Sequence, residues 1–261
     1  EIAFEEVRTS GLVAERLRAW GIELHTGLGK TGLVGVLHGK HPTPAGMAVR
    51  SIGLRADMDA RRPELNRFAH ASQNPGRMHG CGHDGHTVML LAAARYLAQS
   101  KQFDGTVQFI FQPAEEANET GSGAKAMIDD GLFERFPIDN VFAMHNGPEI
   151  IAGAVIACPG AIMASMDLFE VTVTGHGTHG AFPHEGIDPV LTAAQLLTAW
   201  QTIISRNVNA LESAVISATS INTGDSWNVI SHTAVIRGSV RTLSPAVRQL
   251  VHDRFHALTY N

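Results

Sequence analysis

Over the first 160 residues, short apolar runs alternate with helical stretches, and glycines punctuate them. Gly32 to Gly39 and Met47 to Leu54 are apolar or β-branched runs of strand length. Thr9 or Ser10 can cap a short helix through Leu12, Leu17 and Trp20 that Gly21 ends. Asp84 or Thr87 can cap a helix from Val88 to Gln99, whose leucines, alanines and Tyr96 leave little polar face and predict burial. Thr106 to Phe111 is almost continuously apolar, the pattern of a central strand covered on both faces. Gly121 to Phe133 predicts a helix, and Asn140 to Met144 another buried strand. The order predicts an α/β fold, a mixed sheet flanked by helices.

From about Ser165 the texture changes. Leu168 to Thr174 alternates, as a strand with one wet face should. Asp188-Pro189 opens a long helix through Leu196, Leu197, Trp200 and Ile204. Strands are predicted at Ala214 to Ile221 and Thr233 to Val240, with a last helix from Ser244-Pro245. This β-α-β-β-α order lacks one strand of a ferredoxin-like unit. The expected division is 1–160 and 161–261, with the join near Pro159-Gly160.

Composition narrows the function classes. The net charge is −5 and the basic residues are scattered, so nothing predicts a nucleic-acid partner. No apolar run reaches membrane-spanning length, because Arg95 interrupts Val88 to Ala98. Two cysteines, Cys81 and Cys158, cannot make a disulfide scaffold, and a reducing cytoplasm is expected.

The chemistry concentrates in Met78 to Thr87, MHGCGHDGHT. Thiolate, imidazole and carboxylate are the ligand types that divalent transition metals favour. The plain alternative is a polar loop with one buried cysteine. Cys81 and His83, two apart, can turn their donors to one point. Glu115-Glu116 follows a buried strand and a proline, and neighbouring side chains in an extended segment point to opposite sides. One carboxylate can then bind metal while the other faces the substrate water, the division a hydrolase needs when a metal acidifies water and a carboxylate takes its proton. His145 also ends an apolar strand, where a lone histidine is ordinarily a structural residue and only its company makes it a ligand. These polar words all fall where predicted strands end, the crevice in which open α/β sheets place their sites.

In order along the chain, LRADMDA, MHGCGHDGHT, FQPAEE, MHNGP, GHGTHGAFPH and NVIS…GSVRTL resemble the hippurate-hydrolase branch of the dinuclear metallopeptidases, which includes N-acyl-amino-acid amidohydrolases. The resemblance implies a zinc-exopeptidase-like catalytic domain with two divalent metal ions (zinc, manganese, cobalt or nickel) over 1–160. It implies a smaller ferredoxin-like lid over 161–261 that forms a homodimer or larger assembly, with Thr233 to Val240 and the helix from Pro189 facing the partner. Carried over residue by residue, Cys81 would bridge the metals, and His83, Glu116 and His145 would be ligands. Glu115 would be the general base, and Asp59 would orient a ligand from behind. Asp57 stands where more distant relatives have a histidine. His179 would polarise the scissile carbonyl, and Asn228 and Arg241 would hold the substrate's carboxylate. The implied reaction is hydrolysis of an N-acyl-amino acid to a carboxylate and a free amino acid.

The sequence departs from the pattern at Arg61-Arg62, where the family has Leu-Pro, and at Ser231, where it has proline. Relatives also extend beyond both ends, so a final histidine ligand and the last lid strand are expected outside these residues. Other readings are a dipeptidase or carboxypeptidase of the same fold, a non-catalytic dimerising relative, and an enzyme in which Cys81 is the nucleophile.

Overall fold

The computed structural model describes residues 1–41, 46, 48–61, 69–117 and 121–260. Met47 and Arg62 lie outside them. The chain divides into two units, Glu1–Ala154 and Val155–Asn261.

The first unit runs α1 (Val7–Ala19), β1 (Glu23–Leu28), β2 (Gly32–His38), β3 (Ser51–Asp57), α2 (His83–Ser100), β4 (Thr106–Gln112), α3 (Gly123–Asp129), α4 (Leu132–Arg135) and β5 (Asn140–Ala143). Its sheet has the order β1-β2-β4-β3-β5. The pairs β1–β2 and β2–β4 are antiparallel, whereas β4–β3 and β3–β5 are parallel. The mixed sheet expected from the sequence is therefore present.

β4 is central and buried through Val107 to Gln112. Its side chains alternate between faces, as the pleat requires. Val107, Phe109 and Phe111 join Val13 and Leu17 of α1 and Leu90 and Ala94 of α2 in one core. Ile110 joins Met127 of α3, Leu132 of α4 and Phe136 in a second core. Helices therefore cover both faces. The connection after β3 runs through α2 on one face, and that after β4 through α3 and α4 on the other. The carboxyl ends of β3 and β4 therefore lie at a topological switch point, where open α/β sheets place their sites.

Four expectations in this unit need correction. α1 begins at Val7, and neither Thr9 nor Ser10 caps it; the Glu1 carboxylate accepts from the Arg8 and Thr9 amides at 3.0 and 2.8 Å instead. α2 begins at His83, five residues earlier than expected, and buries one stripe only, leaving Val88 and Tyr96 exposed. The helix expected over Gly121 to Phe133 is broken by Gly131, whose φ of +84° starts α4 afresh. β5 is an edge strand exposed at all four residues rather than buried, because β3 is its sole strand neighbour among the described residues.

The second unit runs β6 (Ser165–Thr174), β7 (Thr178–His179), a 3-10 turn Pro183–Glu185, α5 (Pro189–Asn207), β8 (Ala214–Thr223), β9 (Val229–Ile230), β10 (Thr233–Thr242) and α6 (Pro245–Tyr260). The Asp188 carboxylate caps α5, accepting from the Val190 and Leu191 amides at 2.8 and 3.2 Å. β6, β10 and β8 form an antiparallel sheet in that order. Trp200 and Ile203 of α5 and Val247 and Val251 of α6 bury its inner face with Ile216, Ala234 and Ile236. β6 alternates between exposed and half-buried residues, as predicted. The strand expected to face a partner, β10, is central and hydrogen-bonded on both sides; the free edges among the described residues are those of β6 and β8.

Candidate metal centre

Three parallel strands end side by side, and each delivers part of the site. β3 ends at Asp57 and leads to Asp59, β4 leads through Pro113 to Glu115 and Glu116, and β5 leads to His145 and Asn146. The first turn of α2 supplies His83 and His86, three apart and both buried. Gly82 precedes it in the left-handed region at φ +88°, a conformation natural to glycine.

His83 is 1% exposed. Its Nδ1 lies 2.9 Å from the Asp59 carbonyl and 3.1 Å from Asp59 Oδ1. Donation of the Nδ1 proton to Asp59 leaves Nε2 with a lone pair. That buried Nε2 has no hydrogen-bond partner. Asp59 is held in turn by the Glu116 amide, which donates to Oδ2 at 2.8 Å. Burial pushes the Asp59 carboxyl upward, but the bonds from His83 and from the Glu116 and Glu115 amides outweigh it and leave the pKa below the ordinary value.

The donors of Cys81, His83 and Glu116 all lie within 4.8 Å of one another, close enough to share a cation. Glu115 Oε2 stands 3.8 Å from His83 Nε2, and His145 Nε2 stands 3.5 Å from the Cys81 sulfur. The His145 Nδ1 proton goes to the Asn146 carbonyl at 2.6 Å, which turns Nε2 toward the thiol. The structure thus gathers Cys81, His83, Glu115, Glu116 and His145 at one place, with Asp59 behind them. It does not separate the glutamates onto opposite sides as an extended segment would. Ala114 at φ +49° and a turn over Glu115 and Glu116 bring both carboxylates toward His83.

A second donor group, Asp57, His83 and His86, was not foreseen. Its donors are already engaged, apart from His83 Nε2. Asp57 Oδ1 lies 2.6 Å from His86 Nδ1, and Oδ2 lies 2.8 Å from Arg55 Nη1. His86 Nε2 faces the Asn146 backbone N–H at 3.1 Å and the Asn146 side-chain amide at 2.9 Å. The Asn146 side chain lies against two glycines. A Cβ on Gly82 would fall 2.3 Å from Asn146 Oδ1, and one on Gly85 2.9 Å from Nδ2.

The donor set fits a divalent cation on two grounds. One is the buried Nε2, which makes no hydrogen bond and faces Asp57 Oδ2 at 3.6 Å and Glu115 Oε2 at 3.8 Å, a position a cation would satisfy. The other is an excess of negative charge that Arg55 offsets only at Asp57 Oδ2. Burial together with Glu116, Glu115 and Asp57 pushes the Cys81 thiol up to about 11. Burial and the charges of Glu116 and Asp57 also raise Glu115. Burial would lower His83, but its bond to Asp59 and the charges of Asp57, Asp59 and Glu115 raise it overall. A bound cation would reverse this local balance and favour the thiolate and the neutral imidazole that ligation requires.

In the second unit, β7 and β9 pair His179 with Val229, and the Gly180 amide donates to the Asn228 carbonyl at 2.7 Å. His179 and Asn228 therefore sit together. Arg241 lies eight residues along β10 from Thr233, roughly 26 Å at the usual rise per residue, so it is not brought to them. His179 and Arg241 are exposed.

Residues 53–243 match the model of Peptidase family M20/M25/M40, and the chain belongs to that family. It is 43% identical over 259 residues to a hippurate hydrolase from Campylobacter jejuni, covering 99% of this chain and 65% of that one. It is 42% identical over 261 residues to an N-acetyl-L-cysteine deacetylase from Bacillus subtilis, covering 99% and 60%. A dinuclear metal binding peptidase of the M20 family from Bacillus subtilis superposes with a TM-score of 0.75 at 32% identity, covering 99% of this chain and 65% of that one. The chain therefore spans somewhat under two thirds of the length of these relatives. No helix among the described residues is long and apolar enough to cross a membrane.

Proposed function

We propose that the protein is a metal-dependent amidohydrolase that cleaves an N-acyl-amino acid to a carboxylate and a free amino acid. The observation that carries this reading is the buried, unpartnered Nε2 of His83 within reach of the Cys81 thiol and the Glu116 carboxylate. Cys81, His83, Glu116 and His145 would hold two divalent ions, with zinc, manganese, cobalt and nickel all suited to the donors. When bound, such ions acidify water and polarise a carbonyl. Asp59 holds the His83 ring by its Nδ1 proton. Glu115, exposed to solvent and with its pKa raised, takes the proton from the attacking water and delivers it to the leaving amine.

The second unit would supply His179 and Asn228 to the substrate together, with Arg241 acting apart from them. It would also join two copies through the free edges of β6 or β8, since unpaired strand edges invite pairing. A reducing compartment suits the two free cysteines. The names of the hippurate hydrolase and the deacetylase support an N-acyl-amino acid as substrate. A nucleophilic Cys81 is disfavoured, because a thiol pushed up to about 11 is the reverse of an activated one.

The test is metal analysis of the intact protein with a panel of acetyl-, benzoyl- and succinyl-amino acids and free dipeptides. Turnover of an N-acyl-amino acid that a chelator abolishes and added metal restores is expected. Turnover confined to substrates with a free amino terminus would replace this reading with a dipeptidase. Absence of both bound metal and hydrolysis would leave a non-catalytic relative.

A further inference from the structure

Glu6 is fully buried, at 0% exposure, and forms no ion pair among the described residues. Its place in sequence, at the N-cap of α1, is where a carboxylate ordinarily accepts from the first helical amides. It makes no such bond, and Glu1 takes that part. The Glu6 carboxylate instead reaches across to the segment after β4. Oε1 accepts from the Ala114 amide at 2.8 Å and the Phe4 amide at 3.1 Å, and Oε2 accepts from the Thr31 hydroxyl at 2.5 Å. A buried carboxylate is costly to keep unless its oxygens are satisfied, and here three donors converge on it.

Ala114 is the residue that turns the chain into Glu115-Glu116. It is buried, and its φ of +49° lies in the left-handed region that alanine seldom visits. Two bonds secure it there: its amide to Glu6, and its carbonyl, which accepts from the Gly123 amide at 3.0 Å. In an extended conformation the two glutamates would point to opposite sides. The left-handed Ala114 leads the chain into the turn over Glu115 and Glu116 that brings both toward His83.

We infer that Glu6 is a positioning residue for the metal centre. By holding the Ala114 amide it keeps the left-handed turn that sets Glu115 and Glu116. The inference rests on the function proposed above for those two carboxylates. Glu6 itself hydrogen-bonds to neither His83 nor Cys81, so its influence passes through the backbone.

The experiment compares Glu6→Ala, Glu6→Gln and the double variant Glu6→Ala/Ala114→Gly in the intact protein. Readouts are amide hydrogen exchange at Ala114, metal stoichiometry, and kcat and KM on an N-acetyl-amino acid. In Glu6→Ala, exchange at Ala114 should quicken while β4 keeps its protection. Turnover should fall on the order of tenfold, the population shift that a left-handed alanine invites once released, with KM within about twofold. Glu6→Gln should retain most activity, since its carbonyl oxygen can still accept from Ala114 while its amide donates to Thr31. Glycine at 114 accepts positive φ without strain, so the double variant should recover part of the lost kcat. A folded Glu6→Ala with wild-type kcat and a protected Ala114 amide would overturn the inference. Exchange rising uniformly along β4, with no rescue by Ala114→Gly, would also overturn it and show a merely structural role. Should Glu6→Ala fail to fold, Glu6→Asp keeps the charge but withdraws it from Ala114. A severalfold loss of kcat supports the inference there, and unchanged kcat overturns it. Wild-type protein without metal or hydrolysis would defeat the proposed function, while exchange at Ala114 would still decide the role of Glu6.

Discussion

Two donor groups share His83, and replacing His86 with alanine tells them apart. The His86 ring is buried at 2% exposure, between Asp57 Oδ1 at 2.6 Å and the Asn146 amide at 3.1 Å. Removing it leaves a buried carboxylate oxygen without its partner, costing about 1–3 kcal/mol, while the freed amide of the exposed Asn146 can turn to water. Arg55 still faces the other Asp57 oxygen at 2.8 Å and limits the loss. A net destabilisation of about 2 kcal/mol follows. With a urea dependence of about 2 kcal/mol per M, the midpoint of the first unit should fall by about 1 M. If His86 only steers Asn146, and through it His145, metal stoichiometry should persist while affinity drops about 10–100-fold, as for partners that orient ligands. If Asp57, His83 and His86 are themselves a ligand set, one ion should be lost outright. Equilibrium dialysis with metal analysis, beside the urea curve, reads both. An unchanged midpoint would refute the energetic argument, and stoichiometric loss of an ion would refute the assignment of ligands.

Glu115→Gln should keep the metal and lose most turnover, whereas Glu116→Gln should lose metal too; equal metal loss in both would show the roles wrongly divided. Gly123→Ala should destabilise the first unit and depress activity, because its Cβ would fall 1.8 Å from the Pro113 carbonyl oxygen and 3.1 Å from Ala114 Cβ, displacing the turn before Glu115; wild-type stability and turnover would contradict this. In the second unit, the Arg248 hydrogen bond holds the Asp167 carboxyl below its ordinary value of 3.8. That stabilisation is present above the unfolded carboxyl's pKa and is lost as pH falls through the lower folded value. Acid unfolding of Arg248→Met should therefore begin at higher pH than in wild type, and coincident acid curves would count against it.

Much of the architecture is legible because it rests on local rules. The continuous apolar run of β4 announces a strand buried on both faces, and Asp188-Pro189 announces the start of α5. The metal-type words could be read because their donors fall at strand ends. β1 escaped notice because an outer strand reading Glu23, Leu24, His25, Thr26 has no apolar run to mark it. β5 looked buried because Val141 and Phe142 are apolar, yet burial depends on neighbours that a local pattern does not supply. Glu6, His86 and Asn146 owe their roles to contacts across 60 residues or more; His86 and Asn146 lie in conspicuous motif words, but local pattern does not reveal that they bond to each other, and nothing near Glu6 points to Ala114. The pairing of the glutamates departs from the sequence expectation for a backbone reason, since the left-handed Ala114 and the turn over Glu115 and Glu116 replace the alternation of an extended chain.

The packing of Asn146 against Gly82 and Gly85 bears on how far MHGCGHDGHT can travel. Two of its three glycines, Gly82 and Gly85, are not spare flexibility in a ligand loop; together they form a notch cut for one amide side chain about 60 residues downstream. The ten residues are thus half of a lock whose key lies elsewhere. Grafted onto another helix start, they would bring Cys81 and His83 but leave the notch empty. His145 would have nothing to hold it beside the thiol. A transplanted or redesigned centre must carry the asparagine, and the strand that presents it, along with the motif.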